Sequence, residues 1–196
     1  MLKKIYSIIA IALYSFSVLN AIDTTSEDVA KIIKTYRKSL PSITKKMPEN
    51  ITPEQCIIRF LKRFHPTPNT LEGDEVLALN ISSILAQGNG LTFLLPANPC
   101  KSRNTERKVL GLNPDLGEVL EIITLKYICD SIAELCHQPV KCVLVSDGVA
   151  FGDILRISED EVHDYVRKVR HLIRAQDADN VVTLMMLGDF PWHSVF

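Results

Sequence analysis

Three short, mainly apolar runs, each closed by turn-forming residues, constrain the fold of this chain more than any other feature. The runs are Leu91–Leu95, Val140–Val145 and Val181–Leu187, and they end at a proline, at Ser-Asp-Gly and at Gly-Asp respectively. Apolar runs of this length between turn residues are typical of strands that are buried on both faces, as in parallel sheets. The sequence therefore predicts three strands of one such sheet.

Two segments with helical periodicity separate the three runs. Asp115 and Glu118 have the spacing of a capping box, as do Ser158 and Glu161, and apolar residues recur at helical intervals after each pair. A strand-helix-strand-helix-strand order implies right-handed crossover connections. We predict a Rossmann-like, three-layer α/β fold with a mainly parallel sheet over residues 91–196.

Three further helices are predicted ahead of the sheet, within residues 22–90. Their apolar positions recur at helical spacing, and proline or glycine residues follow each one. The segments are Ser26–Ser39, Cys56–Phe64 and Asp74–Gln87. Together they form a predicted helical N-terminal segment that flanks the α/β fold.

Residues 1–21 have the layout of a secretory signal peptide. Lys3 and Lys4 precede an apolar run, and Ala21 is a small residue at the predicted cleavage point. Export to the periplasm or to the exterior is therefore expected. The alternative is an uncleaved amphipathic or core helix in a cytoplasmic protein.

Composition excludes several classes of protein. Of the 196 residues, 46% are hydrophobic and the formal net charge is -1, which argues against a disordered chain and against nucleic-acid binding. The five cysteines are odd in number and form no C-x-x-C pair, so neither a disulfide framework nor a zinc site is predicted. His137, His163 and His171 lack metal-ligating company in the sequence, and we predict no metal site.

A cationic loop follows the first predicted strand. In parallel α/β sheets, ligands bind beyond the carboxyl ends of the strands, where loops and helix N-termini converge. Residues 96–113 carry four cations, Lys101, Arg103, Arg107 and Lys108, just ahead of a predicted helix. Cations and free backbone N–H groups suit a phosphate or a carboxylate. The alternative is a solvated, positively charged loop.

Carboxylates follow the second predicted strand. Asp147 comes directly after the apolar run, next to Gly148, and Asp153 follows in the same loop. A carboxylate at this position can bind an amine, orient a hydroxyl or carry a proton. Alternatively, Asp147 closes an Asx turn, and Asp115 and Glu118 act only as helix caps.

Four motifs occur in order around these loops: LPANPCKSRN from Leu95, KVLG from Lys108, PDLGE from Pro114 and SDGVAFGD from Ser146. Together they resemble the isocyanide synthase family, also called the pyoverdine/dityrosine biosynthesis proteins. The resemblance covers residues 92–190, and the order of the four motifs makes it specific. Asn98 stands where the family pattern has an aromatic residue. Family members are longer than this chain, so the resemblance implies a truncated version of the family fold.

The resemblance implies a lyase-type reaction of secondary metabolism. The amine of tyrosine or tryptophan condenses with the ketone of ribulose 5-phosphate, whose C2 becomes the isonitrile carbon, and no cofactor is implied. The implied catalytic residues are Lys101, Glu118 and Asp147, with Glu118 as a proton carrier. The implied substrate-binding residues are Ser102, Asn104, Lys108, Asp115, Gly148, Phe151 and Asp153, and the resemblance implies that Lys101 holds the sugar phosphate together with Ser102, Asn104 and Lys108.

An iron and 2-oxoglutarate oxygenase that modifies the isonitrile is the pathway partner that the resemblance implies. Apolar Met185, Met186 and Leu187 on the last run predict self-association as a homo-oligomer. The alternative function is that of a catalytically inactive, truncated paralogue, or of an exported module that only binds phosphate or another anion.

Overall fold

The computed structural model describes residues 26–42, 50–64, 73–97, 101, 111–149, 152 and 156–189. The predicted signal-peptide-like segment, residues 1–21, lies outside these ranges. None of the helices in the described ranges is both long and apolar enough to cross a membrane.

Within those ranges, three helices precede a strand-helix-strand-helix-strand unit. The helices are α1 (Ser26–Ser39), α2 (Pro53–Lys62), α3 (Asp74–Gln87), α4 (Leu116–Cys136) and α5 (Glu159–Ala175). The strands are β1 (Leu91–Ala97), β2 (Val140–Ser146) and β3 (Val182–Met186), and a 3-10 helix, Leu187–Asp189, follows β3. The predicted bounds of α1 and α3 are confirmed. The second helix starts earlier than predicted, at Pro53, because proline suits the first helical turn and Thr52 caps it in a capping box.

The three strands form one parallel sheet in the order β1-β2-β3. Their register places Ala97, Ser146 and Met186 side by side at the carboxyl ends of the strands. The Rossmann-like α/β fold with a parallel sheet, preceded by helices, is thus confirmed. The loops that follow the three strands all leave from this one edge of the sheet.

β1 continues through Pro96, where the sequence predicts that it ends. The Leu91 N–H donates to the Pro139 carbonyl, so the backbone groups of Leu91 and of every second residue after it face β2. Pro96 therefore faces away from β2, and its missing N–H removes no hydrogen bond from the sheet of the three described strands. A proline at this position is compatible with the strand.

One face of the sheet is buried under α4 and α5. α4 contacts β2 and β3, α5 contacts β3, and the two helices contact each other. Beneath them Cys142, Leu144 and Leu184 are buried, whereas on the opposite face Leu94 is 38% exposed and Thr183 is exposed. Right-handed crossovers in the order β1-β2-β3 place both helices on the same side of the sheet. Among the described residues, the predicted burial of the strands is therefore seen on one face only.

Of the three N-terminal helices, α1 and α2 pack on α4, and α3 packs on α2 and β1. Ile57 of α2 and Ile81 of α3 are buried in the same core as Ile132 of α4. The hydroxyl of Tyr127, also on α4, donates a hydrogen bond to the Pro41 carbonyl at 2.7 Å. A shared core and this hydrogen bond hold the preceding helices against the α/β unit.

Four of the five cysteines lie in the described ranges, and Cys56, Cys129, Cys136 and Cys142 are free thiols. Cys129 and Cys142 are buried. Burial raises the pKa of the Cys129 thiol to about 12 and also raises the pKa of the Cys142 thiol. Since the thiolate is the reactive form, these two residues serve as packing groups of the core.

β3 is an edge strand of the described sheet. The Cys142 N–H donates to the Val181 carbonyl, so the backbone groups of Val181 face β2 and those of Leu184 face outward. Arg170 of α5 reaches around this edge, and its Nε donates to the Leu184 carbonyl at 3.0 Å. The Arg170 side chain therefore occupies the hydrogen-bonding edge of β3 at this point.

Candidate functional site

The candidate site lies where the strands end and α4 begins. β1 ends at Ala97, shortly before Lys101, and β2 ends at Ser146, next to Asp147. The register pairs Ala97 with Ser146. Lys101 and Asp147 therefore follow adjacent strands at the same edge of the sheet, as a shared crevice between the two loops requires.

Asp115 caps α4, as the capping-box spacing predicts. Its Oδ1 accepts a hydrogen bond from the Gly117 N–H at 2.7 Å, and the Asp115 N–H donates to Glu118 Oε2 at 2.7 Å. These two bonds satisfy backbone donors at the start of the helix and hold both carboxylates at its first turn.

Lys101 brings a cation to this helix N-terminus. Its Nζ forms an ion pair with Asp115 Oδ2 and lies 3.1 Å from Glu118 Oε2. The Lys101 side chain is only 9% exposed. Asp115 and Glu118 are thus helix caps whose carboxylates also pair with Lys101. The structure brings these three predicted site residues into direct contact.

The pKa of Asp115 is lowered by its neighbours. Partial burial favours the protonated acid, but the hydrogen bond from Lys101, the N–H of Gly117 and the charge of Lys101 together outweigh it. The pKa of Asp115 therefore lies below its ordinary value. Because Asp115 stays ionised at neutral pH, its carboxylate is better suited to hold Lys101 in place than to transfer protons.

Two residues beside this cluster are not found by sequence reasoning. Tyr165 of α5, which the sequence pattern places in an apolar stripe, donates a hydrogen bond from its hydroxyl to Glu118 Oε1 at 2.8 Å. Glu121 lies one turn after Glu118 on α4, and burial together with the negative charge of Glu118 raises its pKa to about 7. A carboxyl group that titrates near neutrality beside a candidate site suits proton transfer. The only sequence signals were a tyrosine among aliphatic residues and a glutamate within an apolar helix.

Ser146 at the end of β2 and the two residues that follow it lie at the same edge of the sheet. Ser146 is 1% exposed, and its Oγ has no hydrogen-bond partner in the part of the chain that the structure describes. Asp147 is half-buried and Gly148 is buried. Buried hydroxyls are normally paired, so the Ser146 Oγ is, among the described residues, an unusual unpaired polar atom at the edge of the sheet where α/β folds bind ligands.

Five of the predicted substrate-binding residues lie outside the described ranges. They are Ser102, Asn104, Lys108, Phe151 and Asp153. Inside those ranges, no group of three or more His, Cys, Asp or Glu side chains is arranged to hold a metal ion.

Two open clefts run along α5. One, of about 580 Å³, is lined by residues such as Asp164 and Arg170, and the other, of about 620 Å³, by residues such as Asn113 and His171. Lys101 and its two carboxylate partners line neither cleft. These clefts are grooves along a charged helix surface, separate from the Lys101 cluster.

Comparison with known proteins gives the family. The family described as "Pyoverdine/dityrosine biosynthesis protein" matches residues 81–195, which is more than half of the chain. The chain belongs to this family. The matched residues include every strand of the described sheet, together with Lys101, Asp115, Glu118 and Tyr165.

Relatives in the family include isonitrile synthases. An L-tryptophan isonitrile synthase of Fischerella ambigua is 37% identical over 89 residues, which are 45% of this chain and 27% of that protein. An L-tyrosine isonitrile synthase of Xenorhabdus nematophila is 30% identical over 131 residues, which are 64% of this chain and 38% of that protein. The crystal structure of PvcA from Pseudomonas aeruginosa matches with a TM-score of 0.56 and 30% identity, over 62% of this chain and 39% of that chain. This chain spans less than two-fifths of the length of each of these three relatives.

Proposed function

We propose that this chain carries part of an isonitrile synthase site, where the amine of tyrosine or tryptophan becomes an isonitrile with ribulose 5-phosphate as the carbon donor. Membership of the family supports the reaction class, and two of the relatives above are named for tryptophan and tyrosine. The observation that carries the proposal is the pairing of Lys101 with Asp115 and Glu118 at the N-terminus of α4.

The Lys101 cluster has the groups that the proposed chemistry needs. Condensation of an amine with a ketone requires a proton donor for the departing oxygen and an acceptor for the protons of the nitrogen. The Lys101 amine and the Glu118 carboxylate lie 3.1 Å apart at a largely buried point. This pair supplies a donor and an acceptor for consecutive proton transfers, while Asp115 holds Lys101 in position.

The sugar phosphate is proposed to bind in the cationic loop that follows β1. Ser102, Asn104 and Lys108 supply hydroxyl, amide and ammonium donors there, and the N-terminus of α4 adds the positive end of a helix dipole. Asp147 and Asp153 are proposed to orient the amine of the amino acid or the hydroxyls of the sugar.

The test is to incubate the purified chain with ribulose 5-phosphate and either tyrosine or tryptophan, and to search for the isonitrile by mass spectrometry. We expect product from one of the two amino acids. Lys101→Met should lower kcat/KM by about 100-fold or more, because it removes a charged group placed at the reacting atoms. Lys62→Met is the matched control, since it removes a lysine that is ion-paired with Asp74 on a different helix.

The same incubation, together with a measurement of ribulose 5-phosphate binding to the purified chain, separates the proposal from its alternative. Binding of ribulose 5-phosphate without any product favours an inactive paralogue or an anion-binding module. Absence of both binding and product contradicts the isonitrile synthase and favours an inactive paralogue over a module that binds ribulose 5-phosphate.

An iron and 2-oxoglutarate oxygenase is proposed as the pathway partner that consumes the isonitrile. Disappearance of the isonitrile when such an enzyme, iron(II) and 2-oxoglutarate are added would support this step. Unchanged isonitrile under those conditions would contradict it.

A further inference from the structure

Packing in the core accounts for the ring of Tyr165 but not for its hydroxyl. Tyr165 is 9% exposed and lies among buried Val162, Val166 and Val169 on α5. An aliphatic or phenylalanine side chain would bury comparable apolar surface there. The hydroxyl instead donates to Glu118 Oε1 at 2.8 Å, across the interface between α5 and α4.

Both oxygens of the Glu118 carboxylate contact donors. Oε2 accepts from the Asp115 N–H at 2.7 Å and lies 3.1 Å from Lys101 Nζ. Oε1 is the oxygen that receives the Tyr165 hydroxyl. Donors on both oxygens fix the plane of the carboxylate, which is otherwise free to turn about its last torsion angle.

We infer that Tyr165 is a positioning residue, whose hydroxyl keeps the Glu118 carboxylate oriented toward Lys101. The inference rests on the proposed function, in which Lys101 and Glu118 transfer protons. Tyr165 acts through Glu118 and needs no contact with substrate. Tyr165→Phe keeps the ring in the core, but it releases Oε1 and lets the carboxylate turn away from the lysine.

Tyr127→Phe is the matched control. The Tyr127 hydroxyl also donates to a protein oxygen at 2.7 Å, the Pro41 carbonyl, and is also partly buried. Tyr127 lies nine residues after Glu118 on α4, which corresponds to about 13 Å along the helix axis. Both variants lose one tyrosine hydrogen bond, so they separate a loss at the Lys101 cluster from a general loss of stability.

The first measurement is the rate at which acetic anhydride acetylates each lysine of the folded chain, determined by peptide mass spectrometry. In Tyr165→Phe we expect Lys101 to be acetylated about three times faster or more, because one charge-assisted contact is weakened. Lys62 and Lys126, which are ion-paired with Asp74 and Asp130, should keep their rates. In Tyr127→Phe all three rates should match the wild type.

The second measurement is the kinetics of isonitrile formation. Tyr165→Phe should lower kcat about tenfold and leave KM for ribulose 5-phosphate nearly unchanged, because the hydroxyl acts on a proton carrier and not on binding. Tyr127→Phe should retain the wild-type kcat.

The two measurements distinguish a failure of the proposed function from a failure of the inference about Tyr165. If the wild-type chain forms no isonitrile, the proposed function fails, and the acetylation rates still decide the position of Glu118. An unchanged Lys101 rate in Tyr165→Phe overturns the inference. An equal rise at all three lysines also overturns it, because it shows general loosening. A wild-type kcat in Tyr165→Phe overturns it as well.

Discussion

Replacing Glu121 by glutamine should change how the stability of this protein depends on pH. Burial and the charge of Glu118 raise the pKa of Glu121 from an ordinary value of 4.5 to about 7. Between these pH values the folded protein binds a proton at Glu121 that the unfolded chain has released. The free energy of unfolding should therefore fall as the pH rises from 4.5 to about 7, and this contribution should be constant above that range.

The size of the effect follows from the same pKa. Each pH unit between the unfolded and folded pKa values corresponds to about 1.4 kcal/mol. The interval from 4.5 to about 7 therefore amounts to about 3 kcal/mol of lost unfolding free energy at pH 8. Glutamine has the shape of the protonated acid and cannot ionise. Glu121→Gln should match the wild type at pH 4 and exceed its stability by about 3 kcal/mol at pH 8.

Urea unfolding followed by circular dichroism at pH 5, 6, 7 and 8 provides the assay. The variant should exceed the wild type by less than about 1 kcal/mol at pH 5, and the difference should grow until about pH 7. Glu134→Gln, which removes an exposed glutamate from the same helix, controls for the loss of negative charge from α4. A stability difference that stays constant from pH 5 to pH 8 would refute the assignment of the proton to Glu121.

Two further predictions concern the turn before β1 and the cap of α4. Gly90→Ala should destabilise the protein by about 2 kcal/mol or more in urea unfolding, because φ is +78° and a Cβ would overlap the Pro139 carbonyl oxygen. Gly88→Ala should lose less stability, because φ is similar at +72° but a Cβ there meets no atom within 4 Å. Equal losses of stability in the two variants would contradict the role of the contact with Pro139. Asp115→Asn keeps a capping oxygen but loses the charge paired with Lys101, so it should be less stable than the wild type at pH 6. That difference should shrink as the pH falls below 3.8 through the lowered pKa of Asp115, and an acid titration followed by circular dichroism checks it.

Most of the fold could be predicted because local patterns determine it. The capping-box pairs at Asp115 and Ser158 mark the starts of α4 and α5, and the apolar runs locate the strands. The end of β1 could not be predicted. A proline is excluded from a strand only at a position where the backbone must donate an N–H to a neighbouring strand. That depends on the pairing of Leu91 with β2, which the sequence does not show.

Part of the candidate site could likewise be predicted from the sequence, and part could not. The loop with Lys101 and the helix start at Asp115 are close in sequence, so their proximity in space could be predicted. The contact between Tyr165 and Glu118 joins residues 47 positions apart on two helices. A pattern of apolar positions predicts only that the tyrosine ring is buried. The direction of the hydroxyl depends on how α4 and α5 pack. Glu121 was missed because its pKa depends on burial that no local pattern records.

The arginine at the outer margin of β3 bears on how copies of this protein could assemble. A strand from another molecule would need the Leu184 carbonyl as a hydrogen-bond acceptor, and the guanidinium of Arg170 already occupies it. Addition of a strand at this point of β3 would first have to displace that side chain. At this position the folded monomer therefore meets its own hydrogen-bonding need, and a second copy gains nothing there until the guanidinium has left.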